Sequence, residues 1–141
     1  MAVGEICRSE VITAAPGVSA AELARLMADA NVGSVVITTD DDRPIGIVTD
    51  RDLVMRVLAE QREPKTTLVE DIMTTELVLL EEGTGLYDAV RCARDEGVRR
   101  LPVVDSDGRL TGIITVDDIV RLLVREMTYV TDIMMEASPE L

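Results

Sequence analysis

The stretch GIVTDRD at residues 46–52 returns 66 positions later as GIITVDD at residues 112–118, and the same offset governs most of the chain. Val3-Gly4-Glu5-Ile6-Cys7 aligns with Val69-Glu70-Asp71-Ile72-Met73, and residues 18–37 align with 84–103 without a gap. Arg43 falls on Arg109, and Leu53-Val54 on Ile119-Val120, so residues 3–58 map onto 69–124. Between them AEQREPKTTL, residues 59–68, is polar, contains Pro64 and reads as a linker. A chain that writes one unit twice folds as two similar units. A unit of about 55 residues buries too little surface to be secure alone. The two are therefore expected to pack about a pseudo-two-fold axis, as repeats 3–60 and 69–126 followed by a tail at 127–141.

Each repeat carries the same order of predicted elements. A short strand comes first, Val11–Thr13 or Leu77–Leu80. A helix follows, opened in the first repeat by the capping box Ser19-Ala-Ala-Glu22 and marked by Leu23, Leu26, Met27 and Ala30 at helical spacing. In the second repeat Gly85 and Asp88 hold the capping positions, and Val90, Ala93 and Val98 mark the buried side. An aliphatic strand, Val35–Thr38 or Leu101–Val104, leads through the turns DDDRP (40–44) or DSDGR (105–109), whose Asp, Gly and Pro set turn dihedrals. A second strand, Ile45–Thr49 or Leu110–Thr115, runs into a second helix, Asp50–Ala59 or Val116–Glu126. The unit is β-α-β-β-α and the class α/β (α+β). The tail segment Val130-Thr-Asp-Ile-Met134 echoes the two repeat openings, with no third repeat behind it. It is expected to be a helix over an apolar patch of this chain or of a partner.

Composition removes whole classes of chemistry. The 141 residues contain no His, Phe or Trp. Without His there is no Ser-His-Asp triad, no Cys-His pair and no imidazole ligand. Cys7 and Cys92 form no CxxC pair. Two lone cysteines without a signal-like start fit a reducing cytoplasm. A net charge of −13 lacks the basic stripe that nucleic acid or an anionic membrane surface requires. No apolar run approaches the roughly 20 residues that span a bilayer. No catalytic residues and no metal site are expected. The run Asp40-Asp41-Asp42 reads as a solvated turn, since it lacks a calcium-loop pattern.

The DIM-like openings, RRLPVVDSDGRLTGIITVDDI at 99–119 and VVITTDDDRPIGIVTDRDL at 35–53 resemble the CBS-domain family, named for cystathionine β-synthase. The resemblance covers nearly the whole chain as a tandem pair. It implies two clefts between the repeats, association as flat dimers, and adenosine-containing ligands. It also implies that the glycine–aliphatic–aliphatic–Thr–x–x–Asp turn touches the nucleotide. That turn is Gly46, Thr49 and Asp52 in the first repeat, and Gly112, Thr115 and Asp118 in the second. By the same analogy Ile12, Thr13, Val35 and Val36, with Val78, Leu79, Leu101 and Pro102, wall the clefts.

The chemistry of these residue types suits that role. A carboxylate accepts ribose hydroxyls, a threonine hydroxyl serves a phosphate or ribose oxygen, and glycine admits close approach. Thr-x-x-Asp is equally a capping box that closes a helix start. The repeats differ where a phosphate would sit: Arg51 in the first motif faces Asp117 in the second, and Arg99-Arg100 replace Gly33-Ser34. These differences suggest one phosphate-tolerant cleft around Thr49, Arg51 and Asp52, helped across the pseudo-axis by Arg99 or Arg100. The second cleft is expected to be weaker or empty. The sequence thus reads as a non-enzymatic, cytoplasmic, homodimeric sensor. It requires no cofactor and takes AMP, ADP, ATP or an S-adenosyl compound as regulatory ligand, with output through a separate effector protein. The alternative is a ligand-free dimerisation or protein-interaction module.

Overall fold

The computed structural model describes residues 1–138. Its elements are α1 (Val3–Ile6), β1 (Thr13–Ala14), α2 (Ala20–Ala30), β2 (Ser34–Thr38), β3 (Pro44–Thr49) and α3 (Asp50–Leu53) in the first repeat. The second holds β4 (Leu80–Glu81), α4 (Leu86–Glu96), β5 (Arg100–Val104), β6 (Leu110–Thr115) and α5 (Val116–Ala137). Each repeat makes a three-stranded sheet, β1-β2-β3 and β4-β5-β6. The first pair in each is parallel and the second an antiparallel hairpin.

Local chemistry sets these boundaries. Ser19 and Glu22 close the start of α2 as a reciprocal capping box, and Gly85 caps α4 without a side-chain bond. Asp42 and Gly108, 66 positions apart, both take left-handed backbone at the hairpin turns. The first strand of each repeat is shorter and later than expected: β1 is only Thr13–Ala14 and β4 only Leu80–Glu81.

The second helices diverge. After α3 the chain winds into a π-helical segment, Val54–Leu58, and reverses at Gln61, which has a positive φ of 56°. The polar linker thus ends the first helix close to its expected limit. No such turn interrupts α5 at the corresponding positions, and it runs 22 residues to Ala137. The tail echo at 130–134 is therefore helix continuing outward, exposed throughout, and covers no patch of this chain. The last part of the expected tail, residues 139–141, lies outside the described residues.

Two cores form, and each borrows from the other repeat. The first gathers Leu23, Met27, Val35, Ile37, Val48 and Val57 around Val69 and Ile72, which follow the linker. The second gathers Leu80, Ala89, Leu101, Val103 and Ile114 around Val3, from the chain start. Backbone bonds repeat the exchange. Val3 and Gly4 donate to Thr84 and Glu82, while Val69 and Glu70 donate to Val18 and Pro16. Arg8 pairs with Ile113, and Thr74 with Ile47. Every one of these contacts maps onto its partner through the 66-residue offset with the repeats interchanged. Among the described residues, no helix is long and apolar enough to cross a membrane.

Candidate functional site

Both Thr-x-x-Asp turns sit where a strand feeds a helix, and both are closed capping boxes. Thr49 Oγ1 accepts the Asp52 amide at 3.1 Å, and Asp52 Oδ2 accepts the Thr49 amide at 2.9 Å. In the second motif the corresponding distances are both 3.1 Å. The cap takes one oxygen of each carboxylate and leaves Oδ1.

The two Oδ1 atoms meet different neighbours. Asp118 Oδ1 accepts Arg8 Nη2 at 2.7 Å and Nε at 3.1 Å, and Arg121 Nη1 at 3.3 Å. Among the described residues, Asp52 Oδ1 has only the Arg56 guanidinium near it as a cation, at 3.8 Å, beyond hydrogen-bond range. The offset explains the difference: the counterparts of Arg8 and Arg121 are Thr74 and Met55. Burial pushes the Asp118 carboxyl up, but the Thr115 hydrogen bonds and the Arg8 guanidinium outweigh it and hold it below its ordinary value.

Gly46 and Gly112 serve the exchange of openings. A Cβ on Gly112 would stand 2.5 Å from Cys7 Sγ and 2.8 Å from the Arg8 carbonyl. One on Gly46 would run into Met73, its Cγ at 2.7 Å and its thioether closer still. Side-chain space at each motif glycine is thus taken by the other repeat's opening.

The structure brings Thr49, Arg51, Arg99, Arg100 and Thr115 together around a cavity of about 250 Å³ on the pseudo-axis, with Asp50 and Asp117. Arg99 pairs with Asp117 at 3.2 Å. Among the described residues, Arg51 and Arg100 enter no ion pair. Asp52 turns its carboxylate to the cap beside this cavity without lining it.

A second cavity, about 260 Å³, lies at the other motif, walled by Arg8, Ile12, Val36, Arg100, Ile113 and Thr115 among others. The remaining expected wall residues scatter. Strand alternation sends Val35 and Leu101 into the two cores, fully buried, on the opposite strand face from Val36 and Pro102. Val78 packs against the second core, Leu79 is exposed, and Thr13 lines a separate polar hollow with Ser9 and Thr38. Sequence reasoning missed Arg8. Its signal was the departure from the repeat just after the openings, Arg8 against Thr74.

A family model described as CBS domain matches residues 3–59 and again 69–125. An uncharacterized protein of Methanopyrus kandleri, MK0525, is 42% identical over 122 residues, 86% of this chain. The chain spans 62% of that relative's length. Hypoxic response protein 1 of Mycobacterium tuberculosis is 33% identical over 100 residues, 71% of this chain and 69% of its own. Among solved structures, the CBS domain pair of protein MJ0100, in complex with 5-methylthioadenosine and S-adenosyl-L-methionine, superposes with a TM-score of 0.79. It is 26% identical and covers 89% of this chain and 98% of its own.

Proposed function

The chain belongs to the CBS domain family as a tandem pair, and from that premise we propose that it is a non-catalytic regulatory module with one working adenosine site, at its first motif. The observation that carries this reading is the asymmetry of the two carboxylates. Asp52 keeps an oxygen unbonded, available to a ribose hydroxyl, whereas Asp118 has its equivalent oxygen held by Arg8. The neighbour bound to two adenosine compounds supports the ligand class.

Arg51, Arg99 and Arg100 around the adjoining cavity favour a phosphate, since guanidinium forks match phosphate oxygens. They disfavour the sulfonium of an S-adenosyl compound. AMP, ADP or ATP is therefore the preferred ligand. The module works in the cytoplasm as a homodimer and signals to a separate effector protein. A ligand drives that signal only through unequal affinity for two states.

The test is a thermal-shift and calorimetry panel of AMP, ADP, ATP, NAD, S-adenosylmethionine and GTP. Ligand at 100 times its dissociation constant adds about 2.7 kcal/mol of stability. An adenine-nucleotide rise lost in Asp52→Ala and kept in Asp118→Ala supports the reading. A response lost only in Asp118→Ala would move the site to the second motif. A flat panel at millimolar ligand would leave the interaction-module reading, which the exposed apolar face of α5 favours.

A further inference from the structure

The second repeat has a hollow that the first lacks. Between α1 and α5 lies a cavity of about 510 Å³, lined by Arg8, Arg121 and Arg125 with Ile6, Ile119 and Leu122. Asp118, Arg121, Leu122 and Arg125 stand three and four places apart and so share one face of α5. The 66-residue offset puts Asp52, Met55, Arg56 and Ala59 at the matching places. There Arg56 Nη1 reaches across and donates to the Ile72 carbonyl at 2.6 Å. Leu122 stands where Arg56 would be and has no donor to offer the matching Ile6. The space that one arginine bridges in the first repeat is thus left open in the second and edged by three others. Two carboxylates also line it, Glu5 and Asp118. Glu5 gives Oε2 to the Ala2 amide at the start of α1. Arg8 and Arg121 both donate to Asp118 Oδ1, yet their side chains are 59% and 68% exposed and have room to swing. Among the described residues, Arg125 enters no ion pair. Arg8 and Arg121 also wall the cavity at the second motif.

We infer that this outer hollow is a site for a phosphate group, free or carried on a short aliphatic ester, and that filling it draws Arg8 and Arg121 off Asp118. A monocarboxylate would only stand in for Asp118. A phosphate group brings about −1.5 to −2 charges and three acceptor oxygens, enough for three guanidinium forks. The apolar residues beside the arginines suit the body of an ester. Once released, Asp118 Oδ1 is available to a ribose hydroxyl in the second cleft, as Asp52 Oδ1 is in the first. Occupancy of the outer hollow therefore decides whether the chain holds one adenosine compound or two. By linkage, a ligand in the second cleft tightens the phosphate site by the same factor. This regulation rests on the adenosine reading, whereas the phosphate site itself does not.

The test is calorimetric titration with inorganic phosphate and with n-butyl phosphate, at ionic strength matched with chloride. Saturable binding is expected, weakened about tenfold in Arg125→Ala. That variant puts the best helix former at an exposed helix position, so circular dichroism should be unchanged. An ester that binds about tenfold tighter than inorganic phosphate uses the apolar wall, and equal affinities assign the site to free phosphate. No saturable binding overturns the site. Binding that Arg51→Ala weakens and Arg125→Ala does not places the anion in the cavity on the pseudo-axis and overturns it equally. For the regulation the probe is adenosine, which has no phosphate of its own to compete for arginines. Its stoichiometry is expected to rise from one to two per chain when phosphate saturates the wild type, and a stoichiometry that stays at one with phosphate bound sinks the release of Asp118. A flat nucleotide panel beside intact phosphate binding fails the adenosine reading and leaves the phosphate site standing.

Discussion

Asp52 and Asp118 begin as equal residues, each three places after a threonine at the end of a strand, and each closes the same cap. What separates them is a pair of guanidiniums on Asp118, Arg121 from its own helix and Arg8 reaching from 110 positions away. The cap was legible in the sequence because its partners are three residues apart. The Arg8 contact was not, because it exists only once the chain start crosses to the second repeat. Its removal has a signed consequence. A carboxyl held below its unfolded value contributes stability above that value and loses it as pH falls through the folded one. Arg8→Ala is therefore expected to cost up to about 1 kcal/mol at pH 7, Arg8 being largely exposed, and progressively less below the ordinary carboxylate range. Urea melts at pH 7 and pH 3 check this, and a gap of constant size would refute it. Arg8→Ala combined with Arg121→Ala frees Asp118 Oδ1 of both its guanidinium partners, so calorimetric stoichiometry with an adenine nucleotide should rise from one to two per chain.

At the scale of elements, the hairpins and the starts of α2, α3, α4 and α5 could be read from turn residues and capping patterns, whose causes are local. The length of α5 was underread by taking its end from the repeat. The physical stop signals were the better guide: after Gly112 no glycine or proline occurs until Pro139. The contact of the openings with strands β3 and β6 was invisible, because an apolar opening fits either repeat by pattern alone. The two glycines report that contact. Gly112→Ala forces a methyl onto the Arg8 carbonyl, which cannot swing away, whereas Gly46→Ala meets the flexible Met73 chain. Overpacking of this kind costs about 1–3 kcal/mol. Gly112→Ala is expected to lower Tm by several degrees and Gly46→Ala by clearly less, and equal losses in a melting comparison would count against the packing argument.

Across the whole molecule, the offset announced two units but not their interdependence. Each core holds residues from the other half: Val69 and Ile72 in the first, Val3 in the second. The halves are expected to fail alone. Fragments 1–62 and 63–141 should each lack a cooperative melt, and an equimolar mixture should regain one. A fragment that unfolds cooperatively by itself would show that its borrowed residues are dispensable. The placement of Thr49, Arg51, Arg99 and Arg100 around one cavity belongs to this scale too. The sequence suggested the grouping through the charge differences between repeats, whereas Val35 and Leu101 went to the cores because strand alternation leaves only one face of each strand for a cleft.

The crossed openings also set a timetable for a chain emerging from a ribosome. The first core can close as soon as residues 69–74 appear, soon after its own repeat is complete. The segment around Val3, made before the rest of the two repeats, must wait for Ile119. At 5–20 residues per second that is roughly 6–23 s, during which the apolar opening of the first repeat has no place to go.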